Sequence, residues 1–307
     1  MSEAKARAED KEILASALLE ALPYLNYLAG KTVVVKFGGS ALAEGDTVLG
    51  DIVLLRRLGV NPILVHGGGS EISRWLAKVG KKSEFVNGLR VTDEESIEVV
   101  RMVLVGKINQ ELVGAINSTG GRAIGLSGLD GWLMRGEQDM EHGPVGLVGK
   151  VTAVDLQPLQ TLIDAGYIPV IAPLALDEQG RCLNLNADTA AGQIAAAMGA
   201  EKLIFLTDVV GISDSNGQLL TQVDEQTARE LIAAGVIKGG MIPKVEACLA
   251  CLSSVKRTHI IDGRVRHALI RELFTDRGVG TMITKKRESA ETGKETIQAL
   301  VAGLLEE

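Results

Sequence analysis

Aromatic residues, cysteines and a surplus of positive charge are all lacking in this chain of 307 residues. Aromatic residues make up only 3%, so the hydrophobic core must be built from aliphatic side chains. The formal net charge of -7 leaves no excess of Lys and Arg to neutralise a phosphate backbone, which argues against a nucleic-acid partner. Three cysteines are too few for a disulfide framework, and their odd number predicts a reducing, cytoplasmic setting.

Membrane segments and several common catalytic motifs are also lacking. No apolar run reaches the length needed to span a bilayer, so no membrane partner is expected, and the charged N-terminus is unlike a signal peptide. The segment His66-Gly67-Gly68-Gly69 would need a Gly-x-Ser-x-Gly elbow to act in an esterase, and the chain has none. Cys248 and Cys251 have no second Cys or His pair nearby, so we expect buried thiols rather than a metal site.

The chain instead alternates apolar strand patterns with helical patterns. A β-branched run at 32–36 predicts a buried strand that ends at Lys36 and leads into Gly38 and Gly39. A second strand pattern at 62–66 likewise leads into a glycine turn and a helix. This repetition predicts an α/β fold, a three-layer αβα sandwich around a central, mostly parallel sheet. Ligands in such folds bind beyond the carboxyl ends of the strands.

The chain is expected to divide into an arm, a main domain and a tail. Residues 1–29 form the arm, in which Pro23 is expected to kink or restart a helix. Its apolar stripe at helical spacing consists of Leu14, Leu18, Leu22 and Leu25. We interpret this stripe as an oligomer contact, with packing on its own domain as the alternative. The main domain is 30–284, and a charged tail, 285–307, carries a short helical pattern at 297–305.

Two lysines, an arginine and an acidic loop supply the groups that phosphoryl transfer needs. Lys36 and Lys244 lie next to glycines, and Arg90 belongs to a predicted hairpin around Asn87-Gly88. An Asn-x-Asn-x-Asp loop, 184–188, precedes an alanine-rich helical pattern, for which Asn186 is the expected N-cap. Ammonium groups and backbone N–H groups stabilise the charge on a moving phosphoryl group, and no covalent nucleophile is required. A carboxylate between the two lysines would hold them in position.

Each of these residues also has a plainer interpretation. Lys36 and Arg90 are compatible with surface charges at a strand end and on a hairpin. Asp188 is compatible with a carboxylate that complements the first turn of a helix, and Asp208 with a turn former after a strand. For His66, at the end of the second predicted strand, a structural role is favoured over a catalytic one.

Five short segments, taken in order, resemble the amino-acid kinase family. They are Lys36-Phe37-Gly38-Gly39-Ser40, His66-Gly67-Gly68-Gly69, Asn87-Gly88-Leu89-Arg90-Val91-Thr92, Asn184-Leu185-Asn186-Ala187-Asp188 and Gly240-Met241-Ile242-Pro243-Lys244. The similarity extends from about residue 30 to 284, and the segment that contains Arg90 is its most specific piece. This order is that of the family members that phosphorylate N-acetyl-L-glutamate. The resemblance therefore implies ATP-dependent transfer to the side-chain carboxylate of that acid, the second step of arginine synthesis.

The resemblance also implies a role for each matching position. It implies an acceptor lobe at about 30–188, a nucleotide lobe at about 189–284, and catalysis between them. The implied catalytic residues are Lys36, Lys244 and Asp188. The implied substrate-binding residues are Gly68, Gly69, Arg90 and Asn184, and the implied ATP-binding residues are Gly38, Gly39 and Asp208. The implied cofactors are ATP and Mg²⁺, and the Mg²⁺ arrives with the nucleotide rather than at a metal site of the protein.

Two further segments resemble parts of the arginine-inhibited members of the family. Ala21-Leu22-Pro23-Tyr24 is similar to their N-terminal helix, and 267–281 is similar to their effector segment. In those members interlaced arms join three dimers into a hexamer, so the resemblance implies a homohexamer inhibited by L-arginine. The implied effector residues are Tyr24, Lys202, His267, Glu272 and Gly278. The tail after Thr284 departs from the family pattern.

Two alternatives stay open at this point. One is a family kinase that acts on aspartate, glutamate, carbamate, a nucleoside monophosphate or carrier-bound aminoadipate. The other is a non-catalytic sensor of amino acids or nucleotides that keeps the fold. Such a sensor could dispense with a lysine or with Asp188, and because this chain has Lys36, Lys244 and Asp188, the enzyme is favoured.

Overall fold

The computed structural model describes residues 2–38, 46–275 and 278–286. Its helices are α1 (Ser2–Leu28), α2 (Asp46–Arg57), α3 (Gly69–Lys78), α4 (Glu94–Arg101), a π-helix (Met102–Asn109), α5 (Gln110–Ser118), a 3₁₀ turn (Asp130–Trp132), α6 (Gln157–Asp164), α7 (Ala187–Ala197), α8 (Glu225–Ala233), α9 (Met241–Cys251) and α10 (Ala268–Phe274). Its strands are β1 (Thr32–Phe37), β2 (Asn61–His66), β3 (Phe85–Val86), β4 (Leu89–Arg90), β5 (Ala123–Ser127), β6 (Met134–Gln138), β7 (Val148–Val154), β8 (Ile168–Ala172), β9 (Leu174–Leu176), β10 (Cys182–Leu185), β11 (Lys202–Thr207), β12 (Gln222–Asp224), β13 (Arg257–Asp262) and β14 (Thr281–Thr284). None of these described helices is long and apolar enough to cross a bilayer.

Strand β1 lies in the middle of the main sheet, whose order is β12-β14-β13-β11-β1-β2-β8-β5 in the described part of the chain. It pairs in parallel with β2 on one side and β11 on the other, which places Lys36 beside Val65 and Phe205. The strands from β13 to β5 pair in parallel, whereas β14 runs antiparallel to β13. Helices pack against the sheet, among them α7 on β1, α2 on β2 and α6 on β8. The expected αβα architecture with a mostly parallel sheet is confirmed.

Short polar side chains cap the N-termini of α4 and α7. The Asp93 carboxylate accepts a hydrogen bond of 2.8 Å from the Ser96 N–H at the start of α4. The Asn186 side chain accepts bonds from the N–H groups of Asp188 at 2.8 Å and Thr189 at 3.1 Å. Such caps satisfy N–H groups that have no partner inside the helix. The Asn186 cap thereby fixes Asp188 in the first turn of α7.

Helix α4, the π-helix and α5 form one continuous helical run over 94–118. The sequence pattern predicts two helices here, at 93–105 and 107–118, and the structure joins them through the π segment. The buried side chains of that segment are Val103, Leu104, Ile108 and Asn109. A π-helix bonds residue i to i+5, and hydrophobic periodicity over eight residues does not distinguish it from an α-helix.

Two smaller sets of strands complete the fold. Strands β6, β7, β9 and β10 pair in a closed ring, which places Asn184 of β10 beside Val148 of β7. Strands β3 and β4 form a hairpin in which Phe85 pairs with Arg90. Its two turn residues have positive φ angles, 49° at Asn87 and 81° at Gly88. A two-residue hairpin turn favours this conformation, so the hairpin predicted around these residues is confirmed.

Helix α1 extends from Ser2 to Leu28 and does not restart at Pro23. Leu28 is buried, and Tyr24, Leu25 and Tyr27 pack partly against the core. Three further leucines, Leu18, Leu19 and Leu22, remain exposed. The C-terminal part of the arm is thus anchored to the domain, and the oligomer contact stays a prediction. The helical pattern at 297–305 lies outside the described residues.

Candidate active site

One carboxylate holds two ammonium groups at the end of the central strand. Asp188 Oδ1 lies 2.6 Å from Lys36 Nζ, and Asp188 Oδ2 lies 2.8 Å from Lys244 Nζ. Lys36 comes from β1, Asp188 from the first turn of α7 and Lys244 from the first turn of α9. Helix α7 packs against both β1 and α9 and therefore brings the two lysines to one point. The structure thus brings together the three residues predicted to be catalytic.

Burial and charge act in opposite directions in this triad. The side chains of Lys36 and Asp188 are only 8% and 7% exposed, whereas that of Lys244 is 20% exposed. Burial alone raises the pKa of Asp188, but the two ammonium groups outweigh it and hold that pKa below its usual value. Burial lowers the pKa of Lys36, against the attraction of Asp188. With all three groups ionised the triad carries one net positive charge, which favours an anionic ligand.

A cavity of about 220 Å³ opens beside Lys36 and Asp188, while Lys244 pairs with Asp188 and does not line it. Its polar lining consists of Lys36, Arg90, Asn184, Asn186, Asp188 and the backbone of 67–69. Its apolar lining includes Ile72, Phe85, Leu104, Val148 and Leu185. Binding sites for small molecules typically combine apolar walls with a few convergent polar groups. The cations and amides in this cavity suit a small ligand with carboxylate or phosphate groups.

Gly67, Gly68 and Gly69 line the cavity between β2 and α3. Gly68 directly precedes α3, where free backbone N–H groups and the helix dipole favour an anion. A Cβ atom at Gly68 would lie 2.5 Å from Ile108 Cδ1 and 2.7 Å from Leu104 Cδ2. The side chains of Ile108 and Leu104 in the π-helix therefore pack so closely on Gly68 that a side chain at this position would push their methyl ends aside.

The Arg90 guanidinium is fixed at the edge of the cavity by three acceptors. Its Nη1 donates to Ser83 Oγ at 2.6 Å, and its Nη2 donates to the Gly69 carbonyl at 2.7 Å and to Ser73 Oγ at 2.9 Å. It also lies 4.7 Å from the centre of the Phe85 ring, a cation–π distance. These contacts preorganise the guanidinium for a carboxylate.

The remaining predicted ligand-binding residues lie in different places. Asn184 lines the cavity and donates to Thr92 Oγ1 at 3.2 Å.

Gly38 and Asp208, which are predicted to bind ATP, do not line the cavity. Gly38 follows β1, and a Cβ there would lie 3.2 Å from the Leu206 carbonyl oxygen. Asp208 follows β11, is exposed, and does not line the cavity. Gly39 lies outside the described residues. The nucleotide contacts of Gly38, Gly39 and Asp208 therefore stay predictions.

The predicted effector residues do not line the cavity and lie at or near α10. The buried carboxylate of Glu272 lies 2.6 Å from His259 Nδ1 and accepts a bond of 2.6 Å from the Val279 N–H. His267 precedes α10, and its Nδ1 lies 2.7 Å from Asp51 Oδ1. Sequence reasoning did not anticipate either partner, because Asp51 lies 216 residues from His267 and His259 belongs to a different element, β13, from Glu272.

Three of the effector residues are brought together around one carboxylate. A Cβ at Gly278 would lie 2.8 Å from Glu272 Oε1, so the two residues are in direct contact. Burial by itself raises the pKa of Glu272, but neighbouring hydrogen bonds and charges, including that of Lys202, outweigh it and lower the pKa. Tyr24 belongs to α1, which packs against α10. A binding role for this cluster stays a prediction.

A buried pair beneath the glycine turn was missed by sequence reasoning. Asn109 Nδ2 lies 3.1 Å from His66 Nε2, and both residues are at most 1% exposed. His66 does not line the cavity, in line with the structural role that the sequence favours. Asn109 lies 43 residues further along the chain, at the end of a mostly apolar segment. Because Lys107, Gln110 and Glu111 are also polar, nothing in the local sequence singles out Asn109 as the buried partner of His66.

The amino-acid sequence of the chain is similar to that of a known protein family. The model of the amino acid kinase family matches residues 31–262. The chain therefore belongs to the amino acid kinase family, and the resemblance seen in the five segments is confirmed. The matched range contains all three residues of the triad and every residue that lines the cavity.

Two bacterial relatives are named acetylglutamate kinase. The chain is 50% identical to the one from Caldanaerobacter subterraneus subsp. tengcongensis, in an alignment that covers 92% of this chain and 97% of that protein. It is 53% identical to the one from Nostoc sp., with 87% of this chain and 92% of that protein covered. The N-acetylglutamate synthase of Neisseria gonorrhoeae, solved with coenzyme A and N-acetyl-glutamate, is 27% identical with a TM-score of 0.79, covering 89% of this chain and 64% of that chain. By its family and these relatives, the chain is an enzyme, a kinase.

Proposed function

We propose that this kinase transfers the γ-phosphoryl group of ATP to the side-chain carboxylate of N-acetyl-L-glutamate. The products are N-acetyl-L-glutamyl 5-phosphate and ADP, and the reaction is the second step of arginine biosynthesis. The names of the relatives at 50% and 53% identity support the choice of acceptor. Mg²⁺ would accompany the nucleotide. The cytoplasm is the proposed location, where the three free cysteines stay reduced.

The reaction forms one bond and breaks one. A side-chain oxygen of the acceptor attacks the γ-phosphorus, and the bond from that phosphorus to the bridging oxygen breaks, so the electron pair leaves with ADP. Lys36 and Lys244 neutralise charge on the transferring group and on the oxygen that leaves. Asp188 holds both ammonium groups in position, and the Gly68 and Gly69 amides donate to phosphoryl oxygens. Arg90 and Asn184 bind the α-carboxylate of the acceptor.

The observation that carries this proposal is the position of Asp188 between Lys36 and Lys244, with contacts of 2.6 and 2.8 Å, at the side of a cavity. The two cations come from different lobes of the predicted division, and a γ-phosphoryl group between the lobes would meet both. The net positive charge of the triad and the neighbouring amides suit phosphate better than a neutral ligand.

The proposal is tested by comparing acceptors in the presence of ATP and Mg²⁺. The acyl phosphate is trapped with hydroxylamine as a hydroxamate and measured by colour. We expect N-acetyl-L-glutamate to react at least about 10²-fold faster than L-glutamate, because a free α-ammonium group would have to be buried near Arg90 and Lys36. Equal rates with both acceptors would reject the proposed substrate.

A lysine pair provides the matched control for the catalytic assignment. Lys36→Met removes a donor of the triad, and we expect kcat to fall by at least about 10²-fold. Lys31→Met makes the same change at an exposed residue just before β1, at the end of that strand away from the cavity, and should leave kcat unchanged. An unchanged rate in Lys36→Met would remove this residue from the mechanism.

We also propose a homohexamer that L-arginine inhibits through the cluster around Glu272. The exposed leucines of α1 support the contact between arms. The buried carboxylate of Glu272, kept ionised by its surroundings, supports a guanidinium ligand. Sedimentation of the full chain and of a chain lacking residues 1–26 tests the assembly, since the deletion should convert hexamers to dimers. A dimeric full chain would contradict it, and an arginine-insensitive wild type would contradict the inhibition.

A further inference from the structure

We propose that Asn109 and His66 are positioning residues that orient the Gly68 amide towards the cavity through the Gly67 carbonyl. This inference rests on the proposed function, because it assigns the oriented amide to the phosphoryl group that the site transfers. Neither residue touches the cavity. Each acts through its neighbour, and the order of the contacts is Asn109, His66, Gly67 and Gly68.

The orientation of the Asn109 amide is the first step. Its Nδ2 donates to the carbonyl of Val170 in β8 at 2.9 Å and lies 3.3 Å from the carbonyl of Leu126 in β5. Carbonyl oxygens accept hydrogen bonds and donate none, so the NH₂ side of the amide must face these two strands. The same nitrogen lies 3.1 Å from His66 Nε2. An amide nitrogen accepts no hydrogen bond, so Asn109 can only donate towards the imidazole, and its two hydrogens are shared among the three acceptors.

The tautomer of His66 follows from that orientation. Because Nε2 faces a donor it must accept, and the ring proton therefore sits on Nδ1. Nδ1 lies 3.0 Å from the Gly67 carbonyl oxygen and donates to it. His66 is fully buried, and burial, with the nearby charge of Lys36, lowers its pKa to about 4. The imidazole is therefore neutral at neutral pH, as the two contacts require.

The direction of the Gly68 N–H is the third step. In a planar trans peptide the C=O of one residue and the N–H of the next point to opposite sides. With the Gly67 carbonyl held by His66, the Gly68 N–H points away from the buried pair. Within the described residues this N–H donates to no backbone carbonyl, and Gly68 lines the cavity. The amide is thus presented to a ligand at the N-terminus of α3.

The π-helix explains how one segment supplies both contacts. Leu104 and Ile108 pack on the Cα side of Gly68, and Asn109 reaches His66. In an α-helix residues i and i+4 share a face while i+5 turns away. A π-helix, in which bonds join i to i+5, has more residues per turn, so residue i+5 turns away from residue i less than in an α-helix. Leu104 therefore faces Gly68 while Asn109 faces His66. The π segment therefore fixes the glycine directly and through the histidine.

Two substitutions of His66 separate the Nδ1 contact from the Nε2 contact. The amide of Asn lies near the position of Nδ1, and the amide of Gln lies near that of Nε2. His66→Asn therefore keeps a donor for the Gly67 carbonyl, whereas His66→Gln loses it and keeps a partner for Asn109. We expect kcat to fall about 10²-fold in His66→Gln and by less than about tenfold in His66→Asn, since misplacing a catalytic group by about 1 Å costs about 10²-fold. The KM for N-acetyl-L-glutamate should stay within about twofold, because Arg90 and Asn184 are unchanged.

Control variants address folding and packing. His142→Asn and His142→Gln make the same changes at a half-exposed histidine whose Nδ1 pairs with Asp139, and neither should alter kcat. Thermal unfolding is measured for every variant. Equal losses of kcat in His66→Asn and His66→Gln, at matched stability, would overturn the proposal, because a role limited to filling space does not distinguish the two nitrogens.

The tautomer is measured independently of any activity. The chain has four histidines, so ¹⁵N labelling of histidine and NMR assign the protonated ring nitrogen of His66 in the wild type. A neutral ring protonated at Nδ1, which becomes a mixture of tautomers in Asn109→Leu, supports the proposal. A ring protonated at Nε2 would overturn it whatever the kinetics show. Failure of the wild type to phosphorylate N-acetyl-L-glutamate would instead refute the proposed function and leave this measurement to decide the contact order.

Discussion

Replacing Asp188 by Asn tests whether the triad is held together by one buried charge. The substitution keeps the size of the side chain and removes the negative charge that faces Lys36 Nζ at 2.6 Å and Lys244 Nζ at 2.8 Å. Lys244 is 20% exposed and regains some water, but Lys36 is 8% exposed and loses its ionic partner where little solvent reaches it. The destabilisation should therefore come mainly from Lys36.

The magnitude follows from the burial of both partners. Removing one partner of a buried ion pair costs about 3–5 kcal/mol, because the other charge is left without compensation. Glu98→Gln is the matched control, since its Arg101 partner lies 2.9 Å away and both side chains are about half exposed. Exposed pairs contribute about 0–1 kcal/mol, so this change should have little effect. We also expect kcat of Asp188→Asn to fall by about 10²-fold, because both ammonium groups lose their fixed positions.

The pH dependence provides a second measurement on the same variant. Burial lowers the pKa of Lys36 in the folded protein below its unfolded value, and Asp188 partly opposes this shift. Without the carboxylate the folded pKa falls further. Between the two pKa values the unfolded chain binds more protons, so the stability of the variant rises with pH. The deficit relative to the wild type should therefore shrink as the pH is raised from about 7 towards about 10.

Urea unfolding followed by circular dichroism, at one protein concentration, gives these free energies. The double variant Lys36→Met with Asp188→Asn removes the unpaired charge and should be more stable than Asp188→Asn alone. The reasoning would be refuted if Asp188→Asn cost no more than Glu98→Gln, or if the double variant were no more stable than the single one.

Two further predictions concern Arg90 and His66. Arg90→Lys should raise the KM for N-acetyl-L-glutamate by at least about tenfold with a smaller change in kcat, because an ammonium group cannot contact several acceptors as a planar guanidinium does; steady-state kinetics measure this, and an unchanged KM would contradict it. In the folded protein the pKa of His66 is lowered from 6.5 to about 4. The neutral imidazole therefore contributes to stability above about pH 6.5, and this contribution is lost as the pH falls towards 4. This loss amounts to about 3 kcal/mol and should be missing in His66→Gln, which urea unfolding between pH 7 and pH 4 checks against the wild type.

The sequence predicts those parts of the fold in which a local pattern has one physical outcome. The β-branched run before Lys36 forms a buried strand, and Asn87-Gly88 adopts the two positive φ angles of a tight hairpin. The polar residue before the alanine-rich helix caps it, as Asn186 shows. In each case the residues that decide the structure lie within a few positions of one another.

Other features depend on partners that are distant in the sequence. The sequence pattern does not predict the π-helix, because its apolar residues fit an α-helix equally well over eight residues. The sequence does not predict how Asn109 bonds to His66, because a side-chain amide can accept or donate. Only the carbonyl groups of β5 and β8 fix its direction in the folded protein. The triad was predicted through the family resemblance, since nothing local connects Lys36, Asp188 and Lys244.

The central position of β1 has a consequence for how the protein is made on the ribosome. Strand β1 is synthesised early, and β2 covers one of its edges soon afterwards, but its other neighbour, β11, begins only at Lys202. At about 5–20 residues per second, the interval between Phe37 and Lys202 lasts roughly ten to thirty seconds. During that time the nascent chain exposes an apolar strand edge, the kind of surface that pairs with other chains. Chaperone demand during translation should therefore be concentrated before β11 emerges from the exit tunnel.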